Sequence, residues 1–112
     1  MEIIITPNNH FALIKPVGRL DSYTAPEFKE TMCQHIKTGC KAFVIDMEAL
    51  DYISSSGIMV LVHLQKACSK LGGGIALLST PELLLSTIKL CGVEKMFSFL
   101  DNFDSAAAFF QG

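Results

Sequence analysis

Two short apolar runs, Ala42–Asp46 and residues 75–78, each lie between stretches of helical periodicity. A run of four or five apolar residues bounded by breaks reads as a strand with both faces dry. Two such strands joined through a helix run parallel, because a hairpin cannot connect them. The pattern therefore calls for a central parallel sheet covered by helices.

The remaining elements fit around that centre. Residues 2–6 read as a strand on the β-branched run Ile3-Ile4-Ile5. Pro7-Asn8-Asn9 is a turn signal, and residues 11–17 read as a second strand, forming a hairpin with the first. Gly18 breaks the pattern before Arg19-Leu20-Asp21. Thr24-Ala25-Pro26-Glu27 is a helix start, with Thr24 as cap, Glu27 three residues on and Pro26 in the first turn. Phe28, Met32 and Ile36 then repeat at helical spacing until Gly39. Residues 58–71 read as a second helix, with Gly57, Leu61, Leu64, Cys68 and Leu71 forming one buried stripe. Gly72-Gly73-Gly74 ends it. Thr80-Pro81-Glu82 starts a third helix with Leu83, Leu84, Ile88 and Leu90 available to bury. Residues 96–100 suit a last strand, and Asp101 or Asn102 would cap a final helix over 106–110. The order β-β-α-β-α-β-α-β-α predicts an α/β fold. Its sheet is mixed but largely parallel, with four to five strands and about four flanking helices.

Composition narrows the function classes. At 112 residues the chain suits one domain over 1–112. The net charge is −2, and Arg19 is the sole arginine, so no basic stripe exists to hold nucleic acid. Cys33, Cys40, Cys68 and Cys91 form no C-x-x-C pair and have no histidine at zinc-site spacing. They read as free thiols in a reducing compartment, with no metal site. No basic leader is visible, and no apolar run reaches the ~18 residues of a membrane span. These features predict a cytoplasmic protein with no membrane partner.

Chemistry concentrates in Ser54-Ser55-Ser56-Gly57, between the strand Ala42–Asp46 and the second helix. Such a junction places hydroxyls beside unpaired backbone N–H groups. It can cap the helix, bind an anion or accept a phosphate. One cap needs one hydroxyl, and three are present. With Gly57 central to the buried stripe, Met59, Val62, His63, Lys66 and Lys70 fall on the outer face at about 100° per residue. Met59 and Val62 are then apolar where a surface helix should be polar, with Ile58 at the edge. Apolar groups beside a modifiable site point to a partner surface.

Enzymatic readings find less support. A serine nucleophile needs a base and an oxyanion hole. The G-x-S-x-G elbow is absent, because Tyr52, Ile53 and Ser54 occupy the place of its first glycine. The sequence sets none of His10, His35 and His63 beside Ser55. Gly72-Gly73-Gly74 follows a helix and precedes a strand, the reverse of a phosphate-binding loop. A phospho-aspartate receiver needs several acidic groups gathered at strand ends around a metal, and only Asp46 and Asp21 are candidates. No catalytic residue and no cofactor are expected.

Gly18-Arg19-Leu20-Asp21 with Thr24-Ala25 resembles the G-x-L-D-x-x-T-A segment of anti-sigma factor antagonists, the STAS domain family. Phe43-Val44-Ile45-Asp46-Met47 through Asp51-Tyr52-Ile53-Ser54-Ser55-Ser56-Gly57-Ile58 resembles that family's central strand and phosphorylation loop. Gly72-Gly73 before a strand and Leu90-Cys91-Gly92-Val93 near the end of the third helix also fit, so the resemblance covers nearly the whole chain. It implies a regulatory switch. The unphosphorylated protein would bind an anti-sigma factor that is also a serine kinase, releasing the sigma factor. The kinase would phosphorylate Ser55, and a serine phosphatase would reverse it. The resemblance sets Asp21 beside Ser55, and the partner contacts would be Asp21, Ser22, Ser54, Ser56, Ile58, Met59 and Val62. Many members carry aspartate where this chain has Ser54, which makes Ser54 and Ser56 further acceptors. The alternative is a STAS module without a sigma factor, as a signalling scaffold or a small subunit of a lipid-transport complex.

Overall fold

A computed structural model describes residues 1–111. Its elements follow in the order β1 (Glu2–Pro7), β2 (Ala12–Leu20), α1 (Ala25–Lys37), β3 (Ala42–Asp46), β4 (Leu50–Ile53), α2 (Ser55–Lys70), β5 (Gly74–Leu78), α3 (Glu82–Leu90), a 3-10 turn (Glu94–Met96), β6 (Ser98–Leu100) and α4 (Phe103–Gln111). The sheet runs β1-β2-β3-β5-β6, with β4 beside β2. Among the described residues only the β1–β2 hairpin is antiparallel; every other pair is parallel. This is the predicted α/β architecture with one strand added.

The added strand is β4, and Gly18 explains it. Rather than ending β2, Gly18 bends it, with φ +103° and a register shift between Gly18 and Arg19. Glycine takes this conformation without the Cβ penalty other residues meet. Before the bend, Ala12–Ile14 pair with Phe43–Ile45; after it, Gly18, Arg19 and Leu20 pair with Leu50, Tyr52 and Ile53. The β2 strand thus reaches three residues further and delivers Asp21 to the end of β4.

Strand alternation divides the core. Phe43, Ile45, Ile75 and Leu77 face a cluster that includes Phe28 and Met32 of α1, Leu61 and Leu64 of α2, and Leu84 and Ile88 of α3. Val44 and Leu78 face the other way, against Phe11 and the α4 residue Ala106. The β3 strand is therefore buried on both sides, as its apolar run requires. Gly73 admits a close approach here, because a Cβ on it would lie 1.9 Å from the Lys41 carbonyl oxygen. Gly73 is thus kept for packing, while Gly72, at φ +84°, makes the turn that ends α2.

Several local expectations change. Thr24 makes no side-chain cap of α1, and Glu27 pairs with the Met1 amino group at 2.6 Å. Thr80 does not cap α3; Pro81 holds that place, and the Thr80 hydroxyl is buried without a partner among the described residues. Leu83 and Leu90 are exposed, as is Leu71 beyond α2. In α3 the buried positions are Leu84 and Ile88, one turn apart, so Leu83 and Leu90 fall on the opposite side. At α4, Asn102 rather than Asp101 caps, its Oδ1 accepting from the Ser105 N–H at 2.9 Å. Among the described residues no helix is long and apolar enough to cross a membrane. No group of three or more His, Cys, Asp or Glu side chains among them could hold a metal ion.

Candidate functional site

The serine tetrad lies where β4 ends and α2 begins. Ser54 is the cap: it is extended, with φ −94° and ψ 171°, and its hydroxyl accepts from the Gly57 N–H at 3.2 Å. One of the helix's orphan donors is thereby satisfied. Helix α2 starts at Ser55, three residues earlier than apolar periodicity suggests, because the cap and not the first apolar residue sets the boundary. Ser55 and Ser56 are both exposed, and neither hydroxyl hydrogen-bonds among the described residues.

This helix terminus is locked to the end of β2. The Ser54 N–H donates to the Leu20 carbonyl at 2.9 Å. Gly57 lies against the same residue: an added Cβ would stand 2.6 Å from Leu20 O, 2.9 Å from Leu20 Cγ and 3.0 Å from Ile53 Cγ1. The glycine of the tetrad is there for contact. It brings the first turn of α2 against the residue preceding Asp21.

Asp21 organises its own loop. Its Oδ1 accepts from the N–H groups of Tyr23 at 2.9 Å and Thr24 at 3.2 Å. In return the Asp21 N–H donates to Thr24 Oγ1 at 2.9 Å, and that hydroxyl donates to the Arg19 carbonyl at 2.7 Å. Asp21 and Thr24 thus form a reciprocal box, which is why Thr24 is unavailable to cap α1. The Thr24 and Tyr23 N–H groups, in that order, hold the Asp21 carboxyl below its ordinary value. The Arg19 side chain contributes less, 3.5 Å away, with its guanidinium 4.2 Å from the centre of the Tyr52 ring. Ser22 is exposed, and Tyr23 stands 92% exposed beside it.

The outer face of α2 differs from the sequence reading in two residues. Met59 is 58% exposed, as expected. Val62 is only 4% exposed and Ile58 is fully buried, so neither presents a surface. Both belong to the main core with Leu61 and Leu64, because α2 packs on α1 as well as on the sheet. At 100° per residue the buried arc runs from Leu64 through Gly57, Cys68 and Leu61 to Ile58 and Val62, about 160° wide. Its centre lies near Leu61, not Gly57. The signal that could have found this is the i, i+4 pair Ile58 and Val62 flanking Leu61. The exposed Tyr23 beside Asp21 was missed because an isolated loop aromatic carries no periodicity.

What remains is an exposed hydroxyl at N1 of a sixteen-residue helix, flanked by an ordered acidic loop and one exposed methionine. Unpaired N–H groups and the positive end of the helix dipole favour an anion there. Ser55 and Ser56 both present exposed hydroxyls at this terminus.

Comparison with known proteins agrees with this fold. An anti-sigma-B factor antagonist of Staphylococcus aureus is 23% identical over 96 residues, covering 86% of this chain and 89% of that protein. The crystal structure of a candidate anti-sigma factor antagonist from Thermotoga maritima superposes with a TM-score of 0.92 at 19% identity, covering 98% of this chain and 95% of that one. The anti-sigma factor antagonist SpoIIAA in its unphosphorylated form gives a TM-score of 0.76 at 15% identity, covering 99% of both chains. The family model of the STAS domain matches residues 2–106, so the chain belongs to the STAS domain family.

Proposed function

We propose that this chain is an anti-sigma factor antagonist whose unphosphorylated form binds an anti-sigma factor serine kinase, releasing the sigma factor. Phosphorylation of Ser55 ends the complex, and a serine phosphatase restores the binding form. The observation that carries this reading is the division of labour in the tetrad. Ser54 is committed to the cap, while Ser55 is exposed with its hydroxyl unengaged among the described residues. Asp21, Ser22, Ser56 and Met59 surround the contact surface, whereas buried Ile58 and Val62 support it from beneath.

The switch follows from charge. A phosphate on Ser55 sits at the helix N-terminus, where it is tolerated, so the domain stays folded. It adds about −1.5 to −2 charges to a surface that already carries ionised Asp21. A partner that contacts Met59 must then desolvate that charge or lose the contact. Affinity falls without rearrangement of the fold.

The test is incubation with the candidate kinase and ATP, followed by mass mapping and binding measurements. Phosphate is expected on Ser55; Ser55→Ala keeps partner binding, and Ser55→Asp weakens it tenfold or more, about 1.4 kcal/mol. A folded Ser55→Ala protein that cannot bind, or phosphate only on Ser54 or Ser56, refutes the assignment. Ser54 in place of the common aspartate favours one other reading, a STAS module serving as a scaffold or transport-complex subunit. That reading expects no transfer from any such kinase.

A further inference from the structure

The turn that follows β2 holds an aromatic side chain out in solvent. Tyr23 is 92% exposed, more than any other large apolar side chain among the described residues. A single exposed hydrophobic residue needs no explanation by itself. Tyr23 differs in how firmly its backbone is held. Its N–H donates to Asp21 Oδ1 at 2.9 Å, and the Thr24 N–H donates to the same oxygen at 3.2 Å. The Ala25 N–H closes the turn on the Asp21 carbonyl at 2.8 Å. Leu20, just before Asp21, accepts from the Ser54 N–H at 2.9 Å, which ties the turn to the start of α2. An ordered backbone therefore presents this ring beside the serine tetrad. Other exposed apolar side chains lack that setting. Tyr52 is 41% exposed, and its ring is already covered by the Arg19 guanidinium, 4.2 Å from its centre. Leu90 is 88% exposed but ends α3, and leucine is under-represented among the residues that anchor interfaces.

We propose that Tyr23 is the anchor of the contact surface, inserting its ring into an apolar cleft on the anti-sigma factor serine kinase. The inference rests on the proposed function and adds the residue that supplies most of the affinity. Tyrosine is enriched at energetic anchors, and its side chain buries about 150–250 Å². It has two rotatable side-chain bonds on a backbone already fixed, so little freedom is lost on binding. Around it Ser22, Ser55 and Ser56 are exposed and polar, which suits the rim of an interface whose centre is apolar. Met59, about one turn along α2 from Ser55, supplies a second apolar contact. The kinase cleft has apolar walls and an acceptor for the phenolic O–H, because a buried hydroxyl without a partner is costly. Tyr23 sets how tightly the kinase holds this chain, and the charge on Ser55 sets when it lets go.

The test is calorimetric titration of the full chain with each purified anti-sigma factor serine kinase of the source organism, followed by steady-state phosphorylation of Ser55. Tyr23→Ala is expected to weaken binding at least about thirtyfold, or about 2 kcal/mol. Tyr23→Phe keeps the ring and should lose only about threefold to tenfold. Leu90→Ala should bind as wild type does. In phosphorylation, Tyr23→Ala should raise KM and leave kcat within about twofold, because the contact is the same before and during transfer. Its melting temperature should stay within about 2 °C of wild type, since the ring lies in solvent and alanine keeps the N–H that binds Asp21. The anchor is refuted, and the proposed function stands, if Ser55→Asp weakens binding while Tyr23→Ala stays within about threefold of wild type. Equal losses in Tyr23→Ala and Tyr23→Phe, or in Tyr23→Ala and Leu90→Ala, refute it too. So does a fall in kcat at unchanged KM, or a clear drop in melting temperature. If no such kinase binds the wild-type chain, the proposed function and the anchor fail together.

Discussion

Gly57→Ala separates a glycine kept for contact from one kept for turn geometry. Gly57 sits inside a helix, where alanine is intrinsically better by about 1 kcal/mol. Propensity alone therefore predicts stabilisation. The packing predicts the opposite. The added methyl would lie 2.6 Å from the Leu20 carbonyl oxygen and within 3.0 Å of two side-chain carbons. That oxygen is backbone and also accepts from the Ser54 N–H, so it cannot move alone. Overpacking costs about 1–3 kcal/mol, and a rigid backbone neighbour places this case near the top of the range. The net is a loss of about 2 kcal/mol, or roughly 8 °C in melting temperature for a domain of this size. Urea denaturation monitored by circular dichroism measures it. Because the strain falls between α2 and the Leu20–Asp21 segment, the proposed phosphate transfer to Ser55 should slow as well. An unchanged or higher midpoint would show that α2 does not press on β2 as described, and Ser55 would then not be locked in place.

Further outcomes follow from burial and charge. Met59→Glu should leave the unfolding free energy within about 0.5 kcal/mol of wild type, while Val62→Glu buries an unpaired carboxyl and should unfold most of the protein. If the two behave alike, the reading of the α2 outer face is wrong. Burial first, then the nearby Cys40 and Cys33, raises the Cys68 thiol to about 11. Titration with an aromatic disulfide reagent at about pH 8 should modify exposed Cys91 first and reach Cys68 only on unfolding; early mapping of label to Cys68 would refute this. The Asp21 carboxyl is lowered in the folded state, so its contribution to stability is present above its unfolded value of 3.8 and is lost as pH falls through the lower folded value. The stability difference between wild type and Asp21→Asn should therefore be constant at neutral pH and shrink in that acid window. A difference unchanged down to about pH 2 would show that the loop bonds do not depend on charge.

The residues that resisted sequence reading share one physical cause, which is contact made between elements. Strand runs such as Ala42–Asp46 were legible because two dry faces demand continuous apolarity, whatever lies above and below. The β4 strand was not, because its middle residues Asp51 and Tyr52 are exposed and it exists only where Gly18 turns β2 toward it. The helical period of α2 was legible, but its buried arc was not. A single amphipathic stripe assumes one neighbour, and α2 has two, the sheet and α1. The same double packing bears on the site. A helix held on two sides and pinned at its first turn by Leu20 can change its surface charge without changing its position. A phosphate at Ser55 would then be read by a partner directly, as charge beside Met59, and not relayed through the core. The sequence offered three hydroxyls for that role, and capping geometry sets Ser54 apart from the other two. Ser54 is occupied and Ser55 is presented, while Ser56, also exposed, is the residue that mass mapping must exclude.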